Sequence, residues 1–322
     1  MKLCLIGPGI MPIPPIGWGA VESLIWDYST ILKNIGFDVD IINESNTEVI
    51  INTINSKSYD FVHIHYDVFY HIIPRINCKN VAISSHYPYV DQFDKHEADG
   101  YSHIFKYLSG NNDFYLFCIS RKDMKAFLDN GANPEKTFLL ENGANPNNFR
   151  FNNQCLMKDR SIYLGKIEDR KRQYLFQSIP GIDFIGKNGD TKFDHANPNY
   201  LGEIKPREKL FDTLTNYANL VLLSTGENGS PLVVKEALCA GLGVVVSEFA
   251  SSELDTAKNF ITVIPESMIG NLDFIQEEII QNRERSICRR DEIRKYFDDN
   301  FSWATLISIY AGTIKNIVNK DI

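Results

Sequence analysis

Residues 3–19 read LCLIGPGIMPIPPIGWG, and this stretch decides how the chain begins to fold. Its first four residues are apolar, which is typical of a short buried strand, and Gly7 and Gly9 end that strand. A proline-rich loop follows, and helical periodicity then predicts a helix from about Gly19 until Gly36 stops it. A strand, a glycine-containing loop and a helix in this order are typical of the start of a parallel α/β sheet.

The same alternation continues along the chain. Further strands are predicted at 37–42, 61–65, 81–84, 114–119, 161–165, 183–186, 200–202, 219–223 and 244–247. Further helices are predicted at 47–57, 122–128, 206–217 and 231–240. Turn-forming residues at 141–149 interrupt the alternation, so we place the domain boundary after residue 152. The sequence therefore predicts two doubly wound α/β domains whose strand carboxyl ends face a central cleft.

Composition limits the class of protein. The chain has 322 residues, of which 43% are hydrophobic and 23% charged, and this suits two folded domains. The net charge is -8, and residues 1–150 contain 12 Lys and Arg against 17 Asp and Glu, which argues against an extended nucleic-acid groove. The six cysteines show no C-x-x-C spacing, so we expect free thiols in the cytoplasm. No run approaches the ~20 apolar residues of a membrane span, and peripheral membrane contact is left open.

The loop before the first helix contains two glycines that suit a ligand site. Gly17 and Gly19 let the backbone come close to a ligand, and the free amides at a helix start favour an anion. The dinucleotide pattern G-x-G-x-x-G fails here because position 12 is Pro. A rigid proline turn that uses glycine for packing is the alternative, and the residues alone leave it open.

A second candidate site is the stretch STGENGSPLVVKEALCAG at 224–241. Ser230 is a natural N-cap and Pro231 a natural first helical residue, so we expect a helix that starts there and ends at Gly241. Its first amides would form a second phosphate cradle. Glu236 lies about a turn and a half further on, where its carboxylate would either accept two sugar hydroxyls or contact only solvent.

Several short motifs occur in a characteristic order. They are PPIGWGAVE at 14–22, VHIH at 62–65, SH at 85–86, IS at 119–120, ENGANPNNF at 141–149, LGK at 164–166 followed by Lys171, YLGE at 200–203, the block at 227–241 and FSW at 301–303. In this order, and over nearly the whole chain, the motifs resemble those of family 4 retaining glycosyltransferases of the GT-B fold. The resemblance implies a Rossmann-like acceptor-binding domain at 1–152, with a final helix at about 303–322 packing back on it, and a Rossmann-like nucleotide-sugar-binding domain at 153–302.

The resemblance also implies roles for the matching residues. Lys166, which stands where the family usually has Arg, and Lys171 would neutralise the donor diphosphate as it becomes the leaving group, a task otherwise done by a metal. Glu236 would hold the donor ribose, and His86 would hydrogen-bond the transferred sugar or the leaving phosphate. The implied catalytic residues are His86, Lys166, Lys171 and Glu227. The implied donor-binding residues are Gly17, Gly19, Ala20, Asn228, Gly229, Ser230, Pro231, Leu232, Val233 and Glu236. The candidates for acceptor contact are Trp18, His65, Tyr87 and Tyr89.

One departure from the family concerns the acidic pair. The family separates its two glutamates by seven residues, whereas eight residues separate Glu227 from Glu236. Either Glu227 bulges into the first position, or Asn228 replaces the carboxylate there. The contact to the transferred sugar depends on which of the two is correct.

Three further features have alternative explanations. His63 and His65 are expected on opposite faces of a predicted strand, with His63 in the core and His65 toward the cleft. The aromatic and polar segment 87–96 is expected either to contact an acceptor or to cover the cleft. The basic segment 283–295 is expected to be a solvated helix face or a membrane-surface helix.

The residues and the resemblance together predict an enzyme of carbohydrate biosynthesis without a separate cofactor or metal. It would transfer a sugar from a UDP- or GDP-sugar to a carbohydrate, lipid-linked or small-molecule hydroxyl. The resemblance implies retention of anomeric configuration, and we expect same-face attack because no carboxylate is clearly placed as a covalent nucleophile. The alternatives are a sugar-nucleotide epimerase or hydrolase on the same fold and a non-catalytic protein that binds a nucleotide sugar.

Overall fold

The chain alternates strands and helices through most of its length. The computed structural model describes residues 1–227 and 230–320. Within these residues the strands are β1 (Lys2–Gly7), β2 (Asp38–Asn43), β3 (Phe61–Ile64), β4 (Val81–Ile83), β5 (Tyr115–Cys118), β6 (Thr137–Leu139), β7 (Met157–Leu164), β8 (Ile182–Ile185), β9 (Tyr200–Gly202), β10 (Tyr217–Leu222), β11 (Gly243–Ser247) and β12 (Ile261–Ile264). The helices there are α1 (Ala20–Asn34), α2 (Thr47–Asn55), α3 (Phe93–His96), α4 (Ser102–Gly110), α5 (Arg121–Asp129), α6 (Gln173–Phe176), α7 (Arg207–Leu214), α8 (Leu232–Cys239), α9 (Leu272–Ile287), α10 (Arg290–Asn300) and α11 (Trp303–Asn319).

Contacts divide the chain into two compact units. The first unit contains residues 1–15, 19–141 and the chain from Trp303 onward, and the second contains residues 16–18 and 142–302. The predicted domain boundary after residue 152 differs from this division after Glu141, because the intervening segment packs with the second unit. Phe149, for example, lies against Phe211 with ring centroids 4.6 Å apart.

Both sheets are parallel along their described strands. The first has the strand order β2-β1-β3-β4-β5-β6, and the second has the order β12-β11-β10-β7-β8-β9. The winding reverses between β1 and β3 in the first sheet and between β7 and β10 in the second. In such sheets, ligands bind where the winding reverses, beside the carboxyl ends of the strands. The prediction of two doubly wound α/β domains is confirmed.

The sheets are covered on both faces, as parallel strands require. Every residue of β10 and β11 is buried. In the first unit α11 packs against α1, where the rings of Trp303 and Tyr28 lie 5.0 Å apart. The six cysteines are free thiols, as predicted. Among the helices of residues 1–227 and 230–320, none is long and apolar enough to cross a membrane.

The expectation of a solvated or membrane-facing basic helix at 283–295 is wrong for two of its arginines. Arg283 is 8% exposed and Arg290 is 2% exposed. Arg283 donates hydrogen bonds to Ser161 Oγ and to the carbonyls of Asp159 and Gly181. Arg290 donates to the carbonyls of Asn152, Thr215, Tyr217 and Ala240 at 2.6–3.0 Å. A guanidinium carries five N–H donors, so it can satisfy several buried carbonyls at once.

Replacing Arg290 by Met is expected to lower the free energy of unfolding by about 3 kcal/mol or more, since several buried carbonyls lose their donor together. Urea denaturation followed by circular dichroism measures the change. Lys295→Met on the same helix is the control, because the Lys295 side chain is 75% exposed, and we expect it to change the free energy by less than about 0.5 kcal/mol. Equal losses in the two variants would contradict the structural role of Arg290.

Candidate functional site

The loops after β7 and β10 meet at the point where the second sheet reverses its winding. The Tyr163 hydroxyl links them, because it donates to the carbonyl of Lys171 and accepts from the N–H of Leu223 at 2.8 Å. The N–H of Thr225 also donates to the carbonyl of Arg170 at 2.9 Å. These hydrogen bonds tie the two loops to each other.

Position 165, the first after β7, favours glycine for two reasons. Its φ of 139° lies in the region that other residues disfavour. A Cβ at this position would also lie 3.3 Å from Cε of Lys171. Glycine here therefore leaves room for the Lys171 side chain, which reaches Glu227.

Five charged side chains on these loops form a connected set, which we call the charge cluster: Lys166, Glu168, Arg170, Lys171 and Glu227. Lys171 Nζ lies 2.7 Å from Glu227 Oε1, and Arg170 Nη1 lies 3.0 Å from the same oxygen. Arg170 Nη2 lies 2.7 Å from Glu168 Oε1, and Lys166 Nζ lies 3.4 Å from Glu168 Oε2. Three cations and two carboxylates leave the charge cluster with a net positive charge.

The carboxylate of Glu227 is ionised inside the charge cluster. Its side chain is only 9% exposed, and burial alone would raise its pKa. The charges of Arg170 and Lys171 outweigh that effect and lower the pKa of Glu227. Glu227 therefore faces the cations, while the predicted donor-binding residues Asn228 and Gly229 lie outside the described residues.

The expected N-cap of α8 is wrong. Ser230 Oγ accepts a hydrogen bond from the N–H of Asn142 at 3.3 Å, and the Ser230 carbonyl accepts from Asn142 Nδ2 at 2.7 Å. The Ser230 hydroxyl therefore accepts from Asn142 and not from an amide of the helix. α8 begins at Leu232, after Pro231, and has no side-chain cap. The amides of Leu232 and Val233 still lie in the first turn, where N–H groups have no acceptor within an α-helix.

Glu236 is buried on α8, so the alternative of a solvated helix residue is wrong. The residue is 7% exposed, and its Oε1 lies 2.5 Å from Nη2 of Arg207 at the start of α7. The Arg207 guanidinium also lies over the ring of Phe211, 5.0 Å from its centroid. Burial raises the pKa of Glu236, and the charge of Arg207 opposes that rise.

The predicted loop residues Gly17 and Trp18 group with the second unit. The N–H of Trp18 donates to Glu203 Oε1 at 3.0 Å. The Trp18 ring lies 5.6 Å from the ammonium groups of both Lys166 and Lys187. A Cβ at Gly17 would lie 2.3 Å from Glu203 Oε1 and 2.7 Å from Cε of Lys205, so a larger residue here would displace the ends of these two side chains.

The predicted residues Gly19 and Ala20 group with the first unit, where they lead into α1. Gly19 has a φ of 143°, and a Cβ there would lie 2.9 Å from Cβ of Pro15. Ala20 is exposed at the first position of the helix. Glycine at position 19 therefore fits the packing of the proline loop, which is one of the two explanations that the sequence leaves open.

The expectation that His63 and His65 point to opposite faces is wrong. Their ring centroids are 4.0 Å apart, because residues two positions apart along an extended strand project from the same face. The N–H of His65 continues the ladder beyond β3 by donating to the carbonyl of Ile6 at 2.9 Å. His63 contacts the Tyr310 hydroxyl at 2.6 Å and Ser84 Oγ at 3.0 Å. His65 is 1% exposed, so its ring lies in the interior of the first unit.

The other predicted residues of the first unit follow β4. His86 is partly exposed, and burial of its ring lowers its pKa to about 4, so the imidazole is neutral near pH 7. The Tyr87 ring stacks on that of Tyr101, with ring centroids 3.9 Å apart, and the Tyr87 hydroxyl donates a hydrogen bond to Asp99 Oδ2 at 2.8 Å. Tyr89 is also partly exposed, beside Tyr87, with ring centroids 5.7 Å apart. These residues present neutral polar and aromatic groups.

Sequence reasoning missed Arg170 and Arg207 as partners of the predicted glutamates. The sequence indicates Arg170 only weakly, because it is one of several cations in the loop after β7. No sequence pattern indicates that Arg207 pairs with Glu236, because 29 positions separate the two residues. Within residues 1–227 and 230–320, no three His, Cys, Asp or Glu side chains are grouped as metal ligands.

Several solved structures resemble this chain. Sucrose-phosphate synthase from Thermosynechococcus elongatus is 15% identical, with a TM-score of 0.78 and coverage of 99% of both chains. HepE of Anabaena in complex with UDP-glucose is 13% identical, with a TM-score of 0.74 and coverage of 98% of this chain and 100% of that one. AviGT4, a glycosyltransferase involved in avilamycin A biosynthesis, is 15% identical, with a TM-score of 0.70 and coverage of 99% of this chain and 98% of that one.

These similarities concern the fold. No protein-family model matches the sequence, and no curated protein sequence matches it. Identities this low show shared architecture, and one architecture serves many activities. Together with the two parallel sheets, the similarities confirm the predicted GT-B fold class.

The two buried glutamates are expected to change the free energy of unfolding with pH in opposite directions. Folding raises the pKa of Glu236, so between the ordinary value of 4.5 and the raised pKa the folded state binds more protons than the unfolded state. The free energy of unfolding of the wild type should therefore fall relative to Glu236→Gln as the pH rises through this window.

For Glu227 the sign is reversed, because its pKa is lowered on folding. The free energy of unfolding of the wild type should rise relative to Glu227→Gln as the pH increases from the lowered pKa to 4.5, and this gain should be lost on acidification. Urea denaturation of the three proteins from acidic to neutral pH measures both trends. Slopes of the same sign would contradict the assigned surroundings of the two carboxyls.

Proposed function

We propose that this protein is a glycosyltransferase that moves a sugar from a nucleoside-diphosphate sugar to an acceptor hydroxyl, with retention of configuration as in family 4. The charge cluster carries this proposal. Its net positive charge lies beside the carboxyl ends of β7 and β10, where doubly wound sheets bind their ligands. The GT-B fold supports the same conclusion.

The charge cluster suits the departure of a diphosphate. The Lys166 side chain is 40% exposed and available to a ligand. The Lys171 side chain packs against Gly165 and forms an ion pair with Glu227. Negative charge grows on the diphosphate as the glycosidic bond breaks, and preorganised cations in a partly buried site stabilise that charge. We assign Lys166 and Lys171 to this role, with the first amides of α8 as further donors to phosphate oxygens.

The rest of the second unit would bind the nucleoside. Glu236 is an ionisable carboxyl on α8, three residues beyond Val233 in the same helix, and we assign it to the ribose hydroxyls. Trp18 lies beside Lys166, so we assign its ring to the donor side instead of the acceptor side. HepE was solved with UDP-glucose, which supports testing UDP-sugars first and GDP-sugars next.

The first unit would bind the acceptor. The partly exposed side chains of His86, Tyr87 and Tyr89, which follow β4, are neutral, and hydroxyl acceptors are neutral as well. His86, with its lowered pKa, can hydrogen-bond a sugar hydroxyl or the leaving phosphate without carrying charge. We assign Tyr87 and Tyr89 to the acceptor and leave the buried His65 out of that contact.

In the proposed reaction, the acceptor hydroxyl attacks the anomeric carbon on the face from which the diphosphate leaves. The bond from the anomeric carbon to the phosphate oxygen breaks, and that phosphate takes the proton of the attacking hydroxyl. Glu227 is not the nucleophile in this scheme, because one of its oxygens is shared by two cations. A glycosyl adduct trapped on Glu227 would overturn it.

The proposal is tested first by ligand-induced thermal stabilisation. The panel contains UDP, GDP, ADP, dTDP, their sugar conjugates and NAD, and a ligand at 100 times its Kd should add about 2.7 kcal/mol to the free energy of unfolding. We expect one nucleoside diphosphate and its sugar conjugate to stabilise the protein, and transfer to an acceptor library with that donor to follow by mass spectrometry. Stabilisation by NAD alone would contradict the proposal.

Turnover in that assay separates the alternatives. Consumption of the donor without an acceptor would favour an epimerase or hydrolase. Binding of the donor with no consumption across the acceptor library would favour a non-catalytic binding protein.

Lys171→Met is expected to lower kcat by about 10²–10³-fold, the usual loss when one preorganised group that stabilises transition-state charge is removed. Steady-state kinetics with the identified donor measures the loss. Lys171→Arg should recover part of it, because it keeps the charge. Lys209→Met, on the exposed side of α7, is the matched control and should keep the wild-type kcat. An unchanged kcat in Lys171→Met would refute the assigned role.

A further inference from the structure

Glu227 holds two cations with a single oxygen. Lys171 Nζ and Arg170 Nη1 lie 2.7 Å and 3.0 Å from Glu227 Oε1. All three side chains are largely buried, with 9% of Lys171, 9% of Glu227 and 23% of Arg170 exposed. Two cations this close would repel each other strongly at low dielectric without an anion between them.

Arg170 is fixed by the fold and is not a loop charge that happens to lie nearby. Its guanidinium donates to the carbonyl of Gly226 and to Glu168 Oε1, the latter at 2.7 Å. Its carbonyl accepts hydrogen bonds from the N–H and the hydroxyl of Thr225. Both the backbone and the side chain of Arg170 are therefore tied to the loop after β10.

We propose that Arg170 is a third cation of the anion site and that Glu227 is its internal counter-ion, a positioning residue that a bound diphosphate partly replaces as the partner of Arg170 and Lys171. This inference rests on the proposed function, since it concerns the site assigned to the donor diphosphate. It gives Glu227 a role toward the cations instead of a contact with the transferred sugar. It also removes the need for Glu227 to reach the first position of the family's acidic pair.

The neighbouring Arg172 provides a matched control. It follows Arg170 and Lys171 on the same turn, but its guanidinium pairs with Glu266 at 2.9 and 3.2 Å. Arg172 therefore adds a similar charge to the region without touching Glu227. A general effect of charge would appear in Arg170→Gln and Arg172→Gln alike, whereas the proposed site would respond only to Arg170.

The test measures the affinity for inorganic pyrophosphate by isothermal titration calorimetry at constant ionic strength, because this probe needs no knowledge of the base or the sugar. We expect Arg170→Gln to bind pyrophosphate about tenfold more weakly, which corresponds to about 1.4 kcal/mol, and Arg170→Lys to recover part of the loss. Arg172→Gln should bind as the wild type does. Glu227→Gln should bind more tightly, because a competing anion is removed.

Circular dichroism and thermal unfolding show whether each variant is folded. If Glu227→Gln is too unstable for titration, its thermal stabilisation by pyrophosphate is compared with that of the wild type and should be larger. Wild-type affinity in Arg170→Gln, an equal loss in Arg172→Gln, or weaker binding in Glu227→Gln would overturn the inference while leaving the glycosyltransferase proposal intact. A wild type that binds neither pyrophosphate nor any nucleoside diphosphate would overturn both.

Discussion

The arrangement of the candidate site in the second unit depends on one carboxylate oxygen, Glu227 Oε1, that contacts two cations. Burying Lys171 and Glu227 costs solvation free energy, and the structure tolerates this because each charge faces an opposite one at hydrogen-bond distance. The Tyr163 hydroxyl, the Thr225 amide and the conformation of Gly165 keep the two loops in place. The loops are thereby ordered around the charges, which is the condition for stabilising a transition state without reorganisation.

The polar groups near the strand ends differ in charge between the two units. In the second unit the groups are charged and paired, and the sum of their charges is positive. In the first unit burial lowers the pKa of His63 to about 3 and that of His86 to about 4, and it raises the pKa of Asp67. A charged region suits an anionic donor and a neutral region suits a hydroxyl acceptor, so this contrast supports the proposed division of substrates between the units.

Arginines also have two different environments within the second unit. Arg283 donates to the carbonyl of Asp159 and the hydroxyl of Ser161 in β7, and Arg290 donates to the carbonyls of Thr215 and Tyr217 at the start of β10. Arg170 and Arg207 face carboxylates instead. A guanidinium bonded to neutral carbonyls serves stability, whereas one paired with a carboxylate near the carboxyl ends of strands can exchange that partner for a ligand anion.

The sequence by itself determined the alternation of strands and helices, the two doubly wound domains and the loops that carry the candidate site. Local patterns suffice for these features, because a buried parallel strand and an amphipathic helix each leave a periodic signal within a few residues. The local pattern also placed Lys166 and Lys171 in the loop after β7, whereas their role as cations for the diphosphate came from the resemblance to the family.

Only the tertiary structure decided which charges are partners. Glu227 meets Lys171 across 56 positions and Glu236 meets Arg207 across 29, and no periodicity links residues that far apart. The contact of Asn142 with Ser230, which leaves α8 without its expected cap, depends on packing between segments 88 positions apart. Side-chain pairing is set by three-dimensional proximity and burial, and these exist only once the sheets have formed.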